Sequence, residues 1–223
     1  MLILGVDTAS KNGSIALVEF EQGSARTLEV VALEGGTFSA QLVPQISDLL
    51  ARQNLTKEKI DAFAVASGPG SFTGLRVGLA AIKALAEVLR KPIAAVSLLE
   101  IVARAGEKSG EVTAALDAGR GEVYIAEYNV NGMDATLHEQ QVITIAQLST
   151  GDGGREIVTP DAKIVQLAGE HGIRAAIIPY PRADAVARLG FEKIKAGETI
   201  SIEALDANYI RRSDAEIKKF GDS

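Results

Sequence analysis

The absence of cysteine is the first constraint on what this chain can do. It excludes disulfide bonds, thiolate nucleophiles and cysteine-ligated zinc sites. Histidine is nearly absent as well, since only His138 and His171 occur and they lie far apart in the sequence. These residues leave no set of nitrogen and sulfur ligands for a transition metal. The sequence therefore predicts no transition-metal site and no cysteine-based catalysis.

The chain also lacks a long apolar run and an excess of basic residues. No apolar stretch approaches the length that crosses a membrane, and the N-terminus MLILGVDTAS has no cationic segment ahead of its apolar residues. There are 23 Lys and Arg against 29 Asp and Glu, a net charge of −6. Binding to a phosphate backbone is driven by a basic field, which this chain does not have. We expect a cytoplasmic protein with no membrane partner. If RNA is involved, a partner protein should supply most of the contact.

The first hundred of the 223 residues change periodicity in a regular order. Three short apolar runs separated by turn residues predict an antiparallel meander. Two amphipathic helices then alternate with two apolar strands, which helical crossovers make parallel. The seven predicted elements are residues 2–6, 14–20, 27–33, 38–50, 62–66, 75–90 and 93–96. This β-β-β-α-β-α-β order is typical of the ribonuclease-H-like half of actin-type proteins.

The remaining residues repeat the meander in a shortened form. Its predicted strands are residues 112–116, 122–128 and 137–143, followed by helix 161–170, strand 173–178 and helix 183–195. We therefore predict an α/β fold with two actin-like lobes. The N-terminal lobe is residues 1–100, and a smaller, truncated C-terminal lobe is residues 101–223, whose last segment can return to the first lobe.

Polar residues follow the first predicted strand at Asp7, Thr8 and Ser10. In actin-like kinases a carboxylate and hydroxyls at this place hold magnesium and the nucleotide phosphates, and a strand end is a rigid support for such ligands. The alternative is that Asp7 and Ser10 only satisfy the backbone of a turn. The sequence leaves both interpretations open.

A glycine-rich loop, SGPGSFTG, joins a strand to a helix over residues 67–74. Glycines let backbone N–H groups approach an anion, and a helix N-terminus attracts one. A Walker loop is excluded, because Leu75 and Arg76 follow where Lys and Ser or Thr are needed. The alternative is a structural turn with Ser71 or Thr73 as the N-cap. The candidate residues of this loop are Ser67, Gly68, Gly70 and Ser71.

A third candidate loop contains Asp117, Gly119 and Arg120, and it occupies the place of the second phosphate loop of an actin-like protein. Here Asp117 and Arg120 can face a cleft between lobes. The alternative is a hairpin with a solvated Arg–Glu pair, which adds little stability.

The predicted helix 75–90 is apolar around most of its circumference. Its polar residues Arg76, Lys83, Glu87 and Arg90 fall on one narrow stripe. Packing on one sheet needs an apolar face of only about 100°. The excess favours a partner surface, although burial under the neighbouring helix around 42–50 is the alternative. The predicted partner residues are Leu42, Ile46, Leu49, Leu75, Leu79, Ile82 and Ala86. Of these, Leu79, Ile82 and Ala86 share one side of the helix, and we expect them to face outward.

Three stretches, ILGVDTAS with GSIAL, ASGPGSFTGLRVGLAAIKALA and LDAGRGEVYIAEY, together resemble the TsaB (YeaZ) family of glycoprotease-like, actin-fold proteins. NYIRR at 208–212 is a weaker match. The resemblance implies a non-catalytic subunit that binds the catalytic TsaD subunit through helices of the N-terminal lobe. With the ATPase TsaE, that complex installs threonylcarbamoyl on the adenosine beside the tRNA anticodon. TsaD carries its metal through an HxxxH pair, which His138 and His171 cannot supply.

The resemblance further implies that no cofactor is tightly bound, with ATP or ADP held only in the complex. It implies contact with tRNA through the complex. When the chain is alone, we expect the apolar surface of helix 75–90 to form a homodimer. Two other functions remain. An actin-fold ATPase or small-molecule kinase is favoured by Asp7 and the two glycine-containing loops, and a glycoprotease-type metallopeptidase is disfavoured by the missing metal ligands.

Overall fold

A computed structural model describes residues 1–10, 12–34, 38–106, 109–132, 134–144, 147, 156–208 and 210. The chain divides into two compact units. The first contains residues 1–98 and 181–207, and the second contains residues 99–180 and 208–223. In the weaker family match, Tyr209, Arg211 and Arg212 lie outside the described residues. Among the described residues, no helix combines the length and apolar character needed to cross a membrane.

The first unit is a five-stranded sheet covered by helices. Its strands are β1 (Leu2–Asp7), β2 (Ser14–Glu21), β3 (Ser24–Ala32), β4 (Ala62–Gly68) and β5 (Ile93–Ser97), in the order β3-β2-β1-β4-β5. β1, β2 and β3 form the predicted antiparallel meander, and β4 and β5 are parallel to β1. The helices are α1 (Phe38–Arg52) and α2 (Phe72–Leu89), with a short 3₁₀ turn at Lys57–Lys59. The predicted β-β-β-α-β-α-β order is confirmed.

The central strands β1 and β4 are buried on both faces of the sheet, toward which their side chains point in turn. On one face, Leu4 and Val6 of β1 join a cluster with residues of α1 and α2. On the other face lies a helix from late in the chain, Ala183–Lys195, which becomes α5 in the numbering used below. A Cβ on Gly5 would come within 2.2 Å of the Ala183 carbonyl oxygen. This glycine therefore allows α5 to lie directly on β1.

The second unit repeats the topology of the first. Its strands are β6 (Gly110–Gly119), β7 (Glu122–Asn131), β8 (Asp134–Thr144), β9 (Glu156–Thr159) and β10 (Ala175–Ile177), in the order β10-β9-β6-β7-β8. Its helices are α3 (Leu98–Ala105), which begins at the last residue of the first unit, and α4 (Ala162–Glu170). The truncation lies in β9 and β10, which have four and three residues. β9 was not predicted, and the strand predicted at 173–178 is shorter than expected.

Candidate functional site

Asp7 ends β1 with its carboxylate turned into the protein. The side chain is fully buried. Its Oδ1 accepts hydrogen bonds from the backbone N–H of Ala9 at 2.8 Å and of Ser10 at 3.4 Å, and its Oδ2 accepts one from the Ser10 hydroxyl at 2.7 Å. Both carboxylate oxygens therefore serve the turn at residues 7–10, which we call the β1–β2 turn. This geometry matches the structural interpretation of Asp7 and Ser10 rather than the magnesium-binding one.

The burial of Asp7 also changes its acidity. Removal from water raises the pKa of the carboxyl above its ordinary value of 3.8. The hydrogen bonds from Ser10 and from the backbone of Ala9 and Ser10 lower the pKa, and they offset this effect only in part. The protein around Asp7 thus favours a neutral carboxyl more than water does. A magnesium ligand needs the ionised form.

Thr8 joins the β1–β2 turn directly to α2. Its hydroxyl donates a hydrogen bond of 2.7 Å to the carbonyl oxygen of Gly74, in the first turn of α2. A Cβ on Gly74 would lie 1.9 Å from the Thr8 carbonyl oxygen, and a Cβ on Gly78 would lie 2.3 Å from the Thr8 hydroxyl. The turn and the helix are thus in backbone contact, and glycine at both positions makes this contact sterically allowed.

The glycine-rich loop, residues 67–74, also packs on the β1–β2 turn. Ser71 donates its backbone N–H to the Ala9 carbonyl at 2.7 Å, and its hydroxyl accepts from the Gly74 N–H at 3.2 Å as the N-cap of α2. A Cβ on Gly70 would lie 2.3 Å from the Ala9 carbonyl oxygen. The structure thus brings two of the candidate segments, the β1–β2 turn and residues 67–74, into direct contact with each other.

The other two candidates in this loop have structural positions at its start. Gly68 is the last residue of β4 and has a φ of 128°, which favours glycine. The Ser67 hydroxyl, which is buried, donates to the Val96 carbonyl of the neighbouring strand β5 at 3.2 Å. Ser67 therefore binds two parallel strands together.

Asp117, Gly119 and Arg120 lie in the second unit, on the β6–β7 hairpin. The Asp117 carboxylate accepts the N–H of Gly119 at 2.8 Å, and the Asp117 N–H donates to Asp161 Oδ2 at 2.9 Å. Arg120 and Gly121 are the two turn residues, with φ of 55° and 79°. Positive φ at both positions is typical of the type I′ hairpin turn. The hairpin interpretation accounts for the spacing of these residues.

The predicted partner residues are in the core, and the expectation that Leu79, Ile82 and Ala86 face outward is wrong. These three side chains are 5%, 0% and 1% exposed. The whole set of Leu42, Ile46, Leu49, Leu75, Leu79, Ile82 and Ala86 is buried, and all but Leu75 belong to the cluster on the sheet. They point inward because α1 and α2 pack on the same face of the sheet and on each other. Gly78 is also turned inward, against Thr8.

The exposed side of α2 carries a different set of apolar residues. Ala80, Ala84 and Val88 follow one another at four-residue steps, so they lie on one line of the helix. Val88 is 73% exposed, and Val43 on α1 is 55% exposed. We call Val43, Ala80, Ala84 and Val88 the outer face. Charged side chains of the predicted polar stripe, Arg76 and Glu87 among them, are exposed on the same side of α2.

The comparison with known proteins gives the family. Residues 35–218 match the model of the TsaD family, tRNA N6-adenosine threonylcarbamoyltransferase. The chain is 31% identical to the tRNA threonylcarbamoyladenosine biosynthesis protein TsaB of Bacillus subtilis, over 98% of this chain and 97% of that protein. The chain belongs to the TsaB family. TsaB of Escherichia coli is also 31% identical, with 96% of each chain covered.

One solved structure and one transferase are also similar to this chain. YeaZ from Pseudomonas aeruginosa superposes with a TM-score of 0.73 at 25% identity, covering 93% of this chain and 100% of that one. A tRNA N6-adenosine threonylcarbamoyltransferase of Rhizobium leguminosarum is 35% identical over 116 residues, 44% of this chain. That match covers 32% of the transferase, so the likeness is limited to part of each chain. The predicted actin-like, two-lobed α/β fold is confirmed.

The predicted partner residues include none of the outer face, although the sequence contains a signal for its exposure. At 100° per residue, the line of Ala80, Ala84 and Val88 begins beside the polar stripe at Ala80 and moves away from it along the helix. The predicted partner set consists mainly of large apolar residues. Large apolar side chains fill a core first, so the small residues next to the polar stripe were the better candidates.

Proposed function

We propose that this chain is a non-catalytic subunit in the formation of threonylcarbamoyladenosine in tRNA, and that it binds the catalytic TsaD homologue. The observation that carries the proposal is the contact between Thr8 and Gly74. The Thr8 hydroxyl donates to the Gly74 carbonyl oxygen, and a Cβ on Gly74 would lie 1.9 Å from the Thr8 carbonyl oxygen, so this contact leaves no room for a phosphate between the β1–β2 turn and the start of α2. Membership of the TsaB family supports a role in this tRNA modification. The close contact between Thr8 and Gly74 supports a role without catalysis.

The placement of side chains that could bind a metal ion agrees with a non-catalytic role. Within the described ranges, no group of three or more His, Asp or Glu residues is placed to hold a metal ion. Asp7, the residue best placed to bind magnesium in the actin-type scheme, has both oxygens engaged by its own turn. An actin-fold kinase or ATPase therefore has less support than a binding subunit.

The outer face supports pairing with a protein of the same fold. Small residues at four-residue steps form a low ridge, and such ridges pack closely against the grooves of another helix. A TsaD homologue is a relative with the same fold class, and part of this chain is 35% identical to one such transferase. Two related helix pairs can form a four-helix contact with pseudo-twofold symmetry. The same face supports a homodimer when the partner is absent.

The remaining members of the proposed complex follow from the family rather than from a site on this chain. The ATPase TsaE joins the complex, ATP or ADP is held only there, and tRNA is contacted chiefly by the catalytic subunit. The net charge of −6 agrees with the last point, because the chain has little excess of cations to place on phosphates.

The proposal is tested by reconstitution. The chain is mixed with the TsaD homologue of its own organism, and complex formation is measured by light scattering after size exclusion. The modified nucleoside is then measured by mass spectrometry of tRNA from cells depleted of the chain, and from cells in which it is restored. We expect a stable complex and a loss of modification on depletion. Unchanged modification, or rapid ATP turnover by the isolated chain, contradicts the proposal.

A further inference from the structure

We infer that Thr8 is a positioning residue for partner binding: through Gly74 and Gly78 it holds the first turns of α2 in the place that the outer face requires. The inference deepens the proposed function and rests on it, because the outer face of α2 is the surface assigned to the partner. It concerns how that surface is held in position. Thr8 touches neither a substrate nor the partner in this scheme.

The contact between the β1–β2 turn and α2 depends on Thr8 on one side and on two glycines of α2 on the other. The Thr8 side chain is 1% exposed, and its hydroxyl donates to the carbonyl oxygen of Gly74 at 2.7 Å. Gly74 and Gly78 are one helical turn apart, so they present one line of bare backbone to the turn. A Cβ on Gly78 would stand 2.3 Å from the Thr8 hydroxyl. The hydroxyl therefore fits only because α2 has glycine there.

A second hydrogen bond ties the same elements together. Ser71, the N-cap of α2, donates its N–H to the Ala9 carbonyl at 2.7 Å. The orientation of that carbonyl depends on the β1–β2 turn, which Asp7 organises through the N–H of Ala9 and Ser10. Asp7, Ala9 and Ser71 thus form a continuous path from the end of β1 to the start of α2.

The first turns of α2 lead along the helix to the residues of the outer face. Ala80 follows Gly78 by two residues, and Ala84 and Val88 continue along the same helix. A helix that shifts at its N-terminus moves these small side chains, and contacts between close-packed helices tolerate little displacement. In a free chain whose α2 is displaced, the helix must return to its place before the partner binds. The free energy of that step weakens the measured affinity. The Thr8 contact removes that cost before the partner arrives.

The test compares Thr8→Val, which keeps the shape and removes the hydroxyl, with Thr8→Ser, which keeps the hydroxyl. Affinity for the TsaD homologue is measured by calorimetry at a temperature where both variants are folded by circular dichroism. We expect Thr8→Val to bind about three- to tenfold more weakly, the range that one hydrogen bond supplies. Thr8→Ser should bind within about twofold of the unmodified chain.

Amide hydrogen exchange of the unmodified free chain is the second measurement, and it does not depend on whether a variant folds. The N–H groups of residues 75–78 should be protected as strongly as those in the centre of α2, and in Thr8→Val they should exchange faster. Rapid exchange there in the unmodified chain, or equal affinity of Thr8→Val and the unmodified chain, overturns the inference. If the unmodified chain does not bind the TsaD homologue, the proposed function itself has failed.

Discussion

The hydroxyl of Ser10 donates a 2.7 Å hydrogen bond to the carboxylate of Asp7, and both side chains are buried. In this pair, the carboxylate that the sequence offers as a magnesium ligand is the hydrogen-bond acceptor at the centre of a turn. The carboxyl is retained, while its surroundings now favour the neutral form, because burial raises its pKa. Substitutions in this pair are therefore expected to change stability rather than catalysis.

We predict that replacing Asp7 with Asn and with Ala has different effects on stability. Asn keeps an acceptor for the Ala9 N–H and places an N–H₂ group beside the Ser10 hydroxyl. Ala leaves buried polar groups without a partner, which costs about 1–3 kcal/mol. Asp7→Ala should therefore lower the free energy of unfolding by about that amount at neutral pH, and Asp7→Asn should leave it equal or higher. Urea denaturation measures both.

The pH dependence of the same variants has a defined sign. The folded pKa of Asp7 lies above its ordinary value of 3.8. Between these two pKa values the folded state binds more protons than the unfolded state, so this carboxyl's contribution to stability is lost as pH rises through the folded pKa. Asp7→Asn should remove this component of the pH profile. An identical profile in the two proteins would show that Asp7 does not titrate as its burial requires.

The two sides of α2 should respond differently to a charge. Ile82 is 0% exposed, so Ile82→Glu places a carboxylate in the core and should cost at least about 3–5 kcal/mol, enough to unfold many domains. Val88 is 73% exposed, so Val88→Glu should fold with the melting temperature of the unmodified chain. Its affinity for the TsaD homologue should fall at least about tenfold, because a charge is then buried in the contact.

Size exclusion and calorimetry of the two variants separate these outcomes. Lys57, exposed outside the outer face on the 3₁₀ turn, provides the control through Lys57→Glu, which should fold and bind normally. If Val88→Glu binds as tightly as the control, the partner uses another surface.

The packing of α5 on the first sheet should be intolerant of a single methyl group. A Cβ on Gly190 would lie 2.3 Å from the Cβ of Ala64 on β4. Gly190→Ala should therefore destabilise the chain by about 1–3 kcal/mol, the usual cost of overpacking. The control is Gly169→Ala in α4, where a Cβ meets no atom within 4 Å. That change should be neutral or stabilising by up to about 0.5 kcal/mol. Equal effects of the two substitutions on thermal unfolding would rule out close packing at Gly190.

Binding of tRNA by the chain alone should be weak. Residues 99–180 carry 12 Asp and Glu against six Lys and Arg, so most of the net negative charge lies in the second unit. We expect a dissociation constant no tighter than about 10⁻⁶ M at physiological salt, the range of non-specific contacts. Filter binding at several salt concentrations measures it, and tight, strongly salt-dependent binding would contradict the prediction.

The topology of the first unit was accessible from the sequence because its signals are local. Apolar runs, turn residues and helical spacing lie within a few residues of one another, and the rules of connection then fix the strand order. The helix at Ala183–Lys195 was predicted with its bounds for the same reason. β9 was missed because a four-residue strand has too few residues to show a period.

The direction in which a helix face points was decided by tertiary structure. The sequence by itself determined that α2 is apolar around most of its circumference, and that Asp7 stands at the end of a strand. Which apolar residues are core depends on how α1 and α2 pack together on the sheet, and this packing placed Ile82 inside and Val88 outside. The burial of Asp7 likewise appears only in the folded chain, and the neighbouring Thr8 contacts Gly74, a residue 66 positions away. Contacts over such a separation leave no periodic trace in the sequence, so only the folded chain reveals them.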